Sequence, residues 1–317
     1  MHIRINLFMS KFFHAILAVV VLFTTSCMNE YNSSYVTLTA DLGGIESRAI
    51  ADGTTVNQIA WAVYASGSDT PLNNLWGTMP LSNRQATLDL RLANGKSYDV
   101  VFFAYYTENP SQTVEIHGEI NPLYYDLSFA DKSITVKYDN ATANDEKRDC
   151  FWYVEHNLKV KGQVDKTFTL SRPLAQLNLG VTPGDIEAAR KAGVVVGYSQ
   201  IVASSYGAFN LFDGKCVGER KEITFKQNAK PTQALTVVPD KTTGVKVNYN
   251  YLGTVYLLLN EELQSVKLTT FDTIGTGNTI NQVEYSNVPL QRNWRTNIIG
   301  NILTNPAAFN IIVDEKF

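Results

Sequence analysis

The chain has 317 residues with 27 basic and 30 acidic side chains, a formal net charge of −3, and 44% hydrophobic residues. That balance supplies no basic patch or stripe, so nucleic acid is not an expected partner. Of four histidines only His117 and His156 fall in the body of the chain; they lie far apart, and no HExxH or similar metal-ligand spacing is present, so no metal or cofactor is expected.

The first segment reads as a targeting signal. Arg4 and Lys11 supply positive charge, and Phe12 to Phe23 is an apolar run broken only by His14. About 12 residues fall well short of the roughly 20 that a spanning helix needs, so the run reads as the core of a signal peptide. Leu22-Phe23-Thr24-Thr25-Ser26-Cys27 then resembles a bacterial lipobox, with Thr24 where Leu is usual. The resemblance implies acylation of Cys27, which becomes the new N-terminus and is held on the membrane by its acyl chains. Residues 1–27 carry Arg4 and Lys11 and no acid, so the rest of the chain has 25 basic against 30 acidic residues, a net charge of −5. Cys150 and Cys216 remain in strand-like surroundings and read as two unpaired, mostly buried thiols.

Along the remaining 290 residues the punctuation is all-β. Val36, Leu38 and Ala40 alternate with Thr37 and Thr39; Leu88, Leu90 and Leu92 alternate with Thr87, Asp89 and Arg91. Both patterns have the period of half-buried strands. Ile134, Val136 and Tyr138 repeat it, as do Phe168 with Leu170 and Leu177 with Leu179. The runs Val100 to Tyr106 and Val255 to Leu259 read as strands buried on both faces. Ala93-Asn94-Gly95, Asn109-Pro110 and Asp213-Gly214 supply turns between strands. Many short strands with such turns predict β-sandwiches. One segment departs from this: Pro183 to Gly193 has an Asp185 N-cap, an alanine-rich interior, Glu187 and Lys191 four apart, and a terminal Gly, and predicts a short helix. We place a domain junction there, with one domain over 28–182 and a second over 183–317.

Three segments form a recognisable set: Gly44-Ile45-Glu46-Ser47-Arg48-Ala49-Ile50 before the strand Ile59 to Tyr64; Leu170-Ser171-Arg172-Pro173-Leu174 leading into Ala175 to Leu179; and Val288-Pro289-Leu290-Gln291-Arg292-Asn293-Trp294-Arg295 leading into Thr296 to Thr304. With the lipobox they resemble the fimbrillin-like lipoproteins of Gram-negative gut and oral anaerobes, the subunits of type V pili. The resemblance implies two transthyretin-like β-sandwich domains in series, a surface-exposed outer-membrane location in a pilus, and no enzymatic activity. It also implies assembly with other pilin subunits. A trypsin-like protease cuts after an arginine, the first strand leaves, and a strand from another subunit fills the groove. Carried to this chain, the cut falls between Arg48 and Ala49, and the excised strand presents Val36, Leu38 and Ala40. Phe309, Ile311 and Val313 read first as the last strand of their own domain and otherwise as a donor strand; the end at Phe317 leaves no long tail for donation, which counts against a stalk role and leaves anchor, tip and accessory roles open. Arg172, Arg292 and Arg295 read as domain-locking residues, each able to stack on an aromatic ring or pair with a buried acceptor.

No nucleophile elbow is present, and no acidic pair is singled out for glycosidase chemistry. The alternative to a pilus subunit is a glycan-binding outer-membrane lipoprotein, with Trp76 and Tyr105-Tyr106 as candidate aromatic platforms. Asp272-Thr273-Ile274 resembles an acidic O-glycosylation site.

Overall fold

The structure, a computed structural model, describes residues 32–43, 53–110, 124–227, 234–237, 247–272 and 277–314. The described residues open with β1 (Ser33–Asp41), β2 (Gln58–Ala65), β3 (Pro71–Pro80), β4 (Gln85–Ala93) and β5 (Ser97–Tyr105). Then come β6 (Tyr125–Ser128), β7 (Ser133–Val136), β8 (Phe151–Lys159), β9 (Val164–Thr169), β10 (Leu174–Val181) and the helix α1 (Pro183–Lys191). The rest is β11 (Tyr198–Ser205), β12 (Ala208–Asn210), β13 (Cys216–Val217), β14 (Lys221–Gln227), β15 (Ala234–Val237), β16 (Val247–Leu258), β17 (Glu261–Phe271), β18 (Thr279–Gln291), β19 (Arg295–Gly300) and β20 (Phe309–Asp314). Among the described residues the fold is all-β with one short α-helix.

These strands form layered sandwiches. The sheet β4-β1-β9 packs on β3-β2-β5-β8 through a core that includes Val36, Leu38, Leu90, Val63, Phe102 and Phe168. The second face of β3-β2-β5-β8 is covered by a small sheet, β13-β12-β7-β6, through Tyr64, Phe103, Tyr125, Ile134 and Phe209. This explains the two-sided burial of β5: Val100, Phe102 and Ala104 face one core, while Val101, Phe103 and Tyr105 face the other. By contrast β4 buries only Ala86, Leu88, Leu90 and Leu92 and turns Gln85, Thr87, Asp89 and Arg91 to solvent. In the C-terminal part, β15-β16-β10-β19-β20 packs on β14-β11-β17-β18 around Leu177, Leu179, Val255, Leu268, Tyr285 and Ile298.

Sheet membership changes at Arg172-Pro173, about ten residues ahead of the expected junction at 183. Before the helix, β10 already pairs with β16 and β19. In the other direction β12 returns to pair with β7, so one core joins Tyr64 and Phe103 to Leu174, Tyr256 and Leu258. A proline without an N–H and with a fixed φ is a natural place for the chain to change sheets.

The helix forms where expected, but its cap differs. Thr182 is the N-cap, its hydroxyl accepting the Asp185 N–H at 3.2 Å, and Pro183 takes the first turn, where it needs no N–H partner. Asp185 is instead buried and accepts the N–H groups of Leu303 (2.7 Å) and Thr304 (3.0 Å). Glu187 meets Lys191 at 3.7 Å, and Gly193, at φ +78°, ends the helix.

Candidate functional site

The first described strand is not at a sheet edge. β1 lies between β4, to which it is antiparallel, and β9, to which it is parallel. Val36, Leu38 and Ala40 point into the core as the alternation predicts, each essentially inaccessible, with Leu42 beyond them. Across the ladder they stand opposite Leu90, Leu88 and Ala86 on β4, and opposite Val164, Lys166 and Phe168 on β9. The solvent face is a second, polar ladder. The Thr37 hydroxyl donates to Asp89 (2.7 Å), the hydroxyls of Thr39 and Thr87 lie 3.2 Å apart, and the Gln85 amide donates to Asp41 (3.1 Å). The Arg91 guanidinium sits 3.9 Å above the Tyr35 ring. Strand β1 thus occupies a slot with an apolar floor and a hydrogen-bonding rail on each side. Cys27, Arg48 and Ala49 lie outside the described residues.

A polar clamp sits where the two sandwiches meet. Arg172 and Asp149 form a bidentate ion pair, Nε to Oδ1 at 2.8 Å and Nη2 to Oδ2 at 2.9 Å, with both side chains buried. The Arg172 guanidinium lies 4.3 Å over the Phe151 ring, and its backbone N–H donates to Asn293 Oδ1 at 2.9 Å. Burial pushes the Asp149 carboxyl above its ordinary range, against the pull of Arg172. Burial also opposes the charge on Arg172, but Asp149 outweighs it and holds the guanidinium protonated. Arg292 donates to the Gly214 carbonyl and lies 5.9 Å from Trp152 and 5.7 Å from Phe209. Two of the three sequence motifs therefore converge on one junction, with Arg172 and Arg292 in the locking role expected of them. Arg295 locks within the C-terminal sheet. Its Nε donates to Gln176 (2.7 Å) and its Nη1 faces Asp314 (3.7 Å), which ties β19 to β10 and β20 inside the C-terminal sheet.

Sequence reasoning missed Asp149 altogether; its one signal is an acid directly ahead of the apolar start of β8. Phe309, Ile311 and Val313 lie in β20, which pairs with β19 at the edge of its own sheet. Ile312, on the opposite face, is its most buried residue. Cys150 and Cys216 are both free thiols, the first buried and the second half-buried. Burial raises both; Cys216 reaches about 11, Glu262 adding to the shift and Arg292 opposing it. His156 is satisfied by the Phe212 carbonyl at 3.0 Å. Tyr105 is buried, so Tyr105-Tyr106 makes no exposed platform, and Trp76 is half-buried against the core behind β2. His117 and Thr273 lie outside the described residues. Among the described residues no group of three or more His, Cys, Asp or Glu side chains is placed to hold a metal, and no helix is long and apolar enough to cross a membrane.

Layered β-sandwiches with a central first strand define the class of protein. The chain belongs to a family of unknown function (DUF6562), whose model matches residues 29–317. No curated protein matches it in sequence. Among solved structures it is similar to a fimbrial assembly protein from Parabacteroides distasonis, at 12% identity and a TM-score of 0.43, covering 89% of this chain and 95% of that one. It is also similar to the fimbrial anchor protein of Porphyromonas gingivalis, again at 12% identity and a TM-score of 0.43, covering 89% of this chain and 97% of that one.

Proposed function

We propose that this chain is a lipid-anchored, surface-exposed subunit of an adhesive pilus, joined to other subunits by exchange of β1 for a strand from a neighbour. The observation that carries this reading is the position of β1. It is the first described strand yet central in its sheet, so one cut between residues 43 and 53 severs its covalent link to every other described strand. Arg48 falls inside that interval and suits a trypsin-like processing protease. Loss of β1 leaves β4 and β9 each with an unpaired rail above an apolar floor, which an incoming strand satisfies by main-chain bonds and alternate side chains. Acylation at Cys27 would hold the precursor on the outer membrane until the cut is made.

The test is limited trypsin digestion, with N-terminal sequencing and sizing under native conditions. The expected product begins at Ala49, loses β1 on displacement, and forms oligomer ladders with its own kind or with a second pilin. Resistance at Arg48 while other sites are cut would sink the processing step. A clean cut with β1 held permanently in its slot would sink the exchange.

A further inference from the structure

An unpaired strand edge is a template for another chain, and proteins usually block it. Several sheet edges here carry such a block. β3 has Pro71 and Pro80 at its ends, Asn74 at φ +61° and a register shift; β18 has Pro289, Asn287 at φ +56° and two register shifts. β8 is bridged through Trp152 to Ser171, β14 through Lys226 to Thr142, and β9 presents Lys166 paired to Glu155. β4 has only a bridge at its first residue, Gln85 to Ser82. It runs for nine residues in unbroken register with β1, without Pro, Gly or Lys.

The pairing phase shows what β4 offers. Asn94 N–H donates to the Asn32 carbonyl (2.6 Å), and Leu42 N–H donates to the Arg84 carbonyl (3.0 Å), so even-numbered residues of β4 bond to β1. Odd-numbered residues then turn their N–H and C=O groups to the open side. Both ends of that side are closed: Gln85 N–H by the Ser82 carbonyl (3.0 Å), Ala93 N–H by the Tyr98 hydroxyl (3.0 Å). Thr87, Asp89 and Arg91 are left as a short, flat, open rail. Below it runs an apolar seam. β9 lies over β8, where Phe168 and Tyr153 stack at 4.9 Å, so β4 lies on the β3 side, where Leu72, Leu75 and Met79 are only partly buried against the shared core.

We propose that this edge pairs with a second copy of the chain, β4 antiparallel to β4 about a two-fold axis through Leu90. In that register each Asp89 stands opposite the Arg91 of the second copy, and each such pair exchanges both main-chain bonds. The register is chosen by charge. Centring the axis on Asp89 would set the two Asp89 carboxylates against each other, whereas centring it on Leu90 sets opposite charges together at both pairs. Existing contacts survive: Asp89 keeps the Thr37 hydroxyl, and Arg91 keeps the Tyr35 ring. The inward leucines Leu88, Leu90 and Leu92 of the two copies continue one apolar face over the partly exposed β3 residues. This association needs β1 in place and goes beyond strand exchange.

The test is sedimentation of the full chain in mild detergent over a concentration series, with Asp89→Arg, Arg91→Asp and the double swap. The wild type and the double swap should dimerise, and each single variant should dimerise at least about tenfold more weakly, because it sets like charges opposite each other. Hydrogen exchange supplies the site: the amides of Thr87, Asp89 and Arg91 should slow with concentration in the wild type and double swap, but not in either single variant. Unchanged melting temperatures keep the comparison between folded proteins. A wild type that stays monomeric to its solubility limit overturns the proposal, as does dimerisation that leaves those three amides unprotected or ignores the single swaps.

Discussion

Arg172→Ala leaves Asp149 as a buried carboxylate whose guanidinium partner is gone. The side chains of the pair are 6% and 1% exposed, so water cannot take over the lost bonds without opening the junction. Breaking a buried pair from one side costs about 3–5 kcal/mol, and the lost stacking on Phe151 belongs to the same removal. A cost of about 4 kcal/mol corresponds to a fall in melting temperature on the order of 10 °C for a chain of this size. Asp149→Asn should cost a similar amount, since it strands the guanidinium instead. The double variant Asp149→Ala/Arg172→Ala has no uncompensated charge and should cost distinctly less than the two single alanine substitutions added together, by roughly 2 kcal/mol or more. Denaturant unfolding of the four proteins closes the cycle. Costs below about 1 kcal/mol for Arg172→Ala, or strict additivity in the double variant, would refute the clamp as a coupled unit.

Two further outcomes follow from burial. Leu38→Ala empties the middle of the β1 slot and should cost about 2–5 kcal/mol in denaturant unfolding, whereas Thr37→Ala, on the solvent face of the same strand, should cost about 1 kcal/mol or less. With Cys27→Ser leaving Cys150 and Cys216 as the two thiols, labelling by a thiol reagent should be slow at neutral pH. It should then quicken as Cys216 ionises toward about 11, with Cys150 reacting only on unfolding. A folded-state thiol pKa raised above its unfolded value favours the folded state at neutral pH, and that contribution should be lost as pH rises from the ordinary thiol range through about 11. Fast neutral labelling of either cysteine in the folded protein would contradict the burial.

What could be read from the sequence was what is local. A period of two marks β1 and β4 correctly, because each buries one face and the pattern is written in consecutive residues. The unbroken apolar run of β5 signals burial on both faces, but its second cover comes from β6, β7 and β12, whose pairing no local pattern encodes. The helix cap departs from the expected Asp185 for a similar reason. Thr182 and Asp185 are both good caps; Pro183 decides between them, since it fits the first helical turn, and Asp185 is then free to serve Leu303 and Thr304 from more than a hundred residues away.

The clamp shows where residue type helps and where it stops. An arginine before a proline at a strand entry, and an arginine-rich turn around Trp294, are conspicuous, and their locking role follows from the chemistry of guanidinium groups. Their partners are not conspicuous. Asp149 looks like one more acid in a polar stretch until β8 and the Arg172-Pro173 crossover bring it to 2.8 Å. Phe151, two residues on, then serves both regions: its ring lies under the Arg172 guanidinium and also belongs to the core that floors the β1 slot. Emptying the slot therefore withdraws packing from the cluster against which the clamp is stacked. A strand that refills the slot restores that packing, so the stiffness of the junction should depend on whether the slot is occupied.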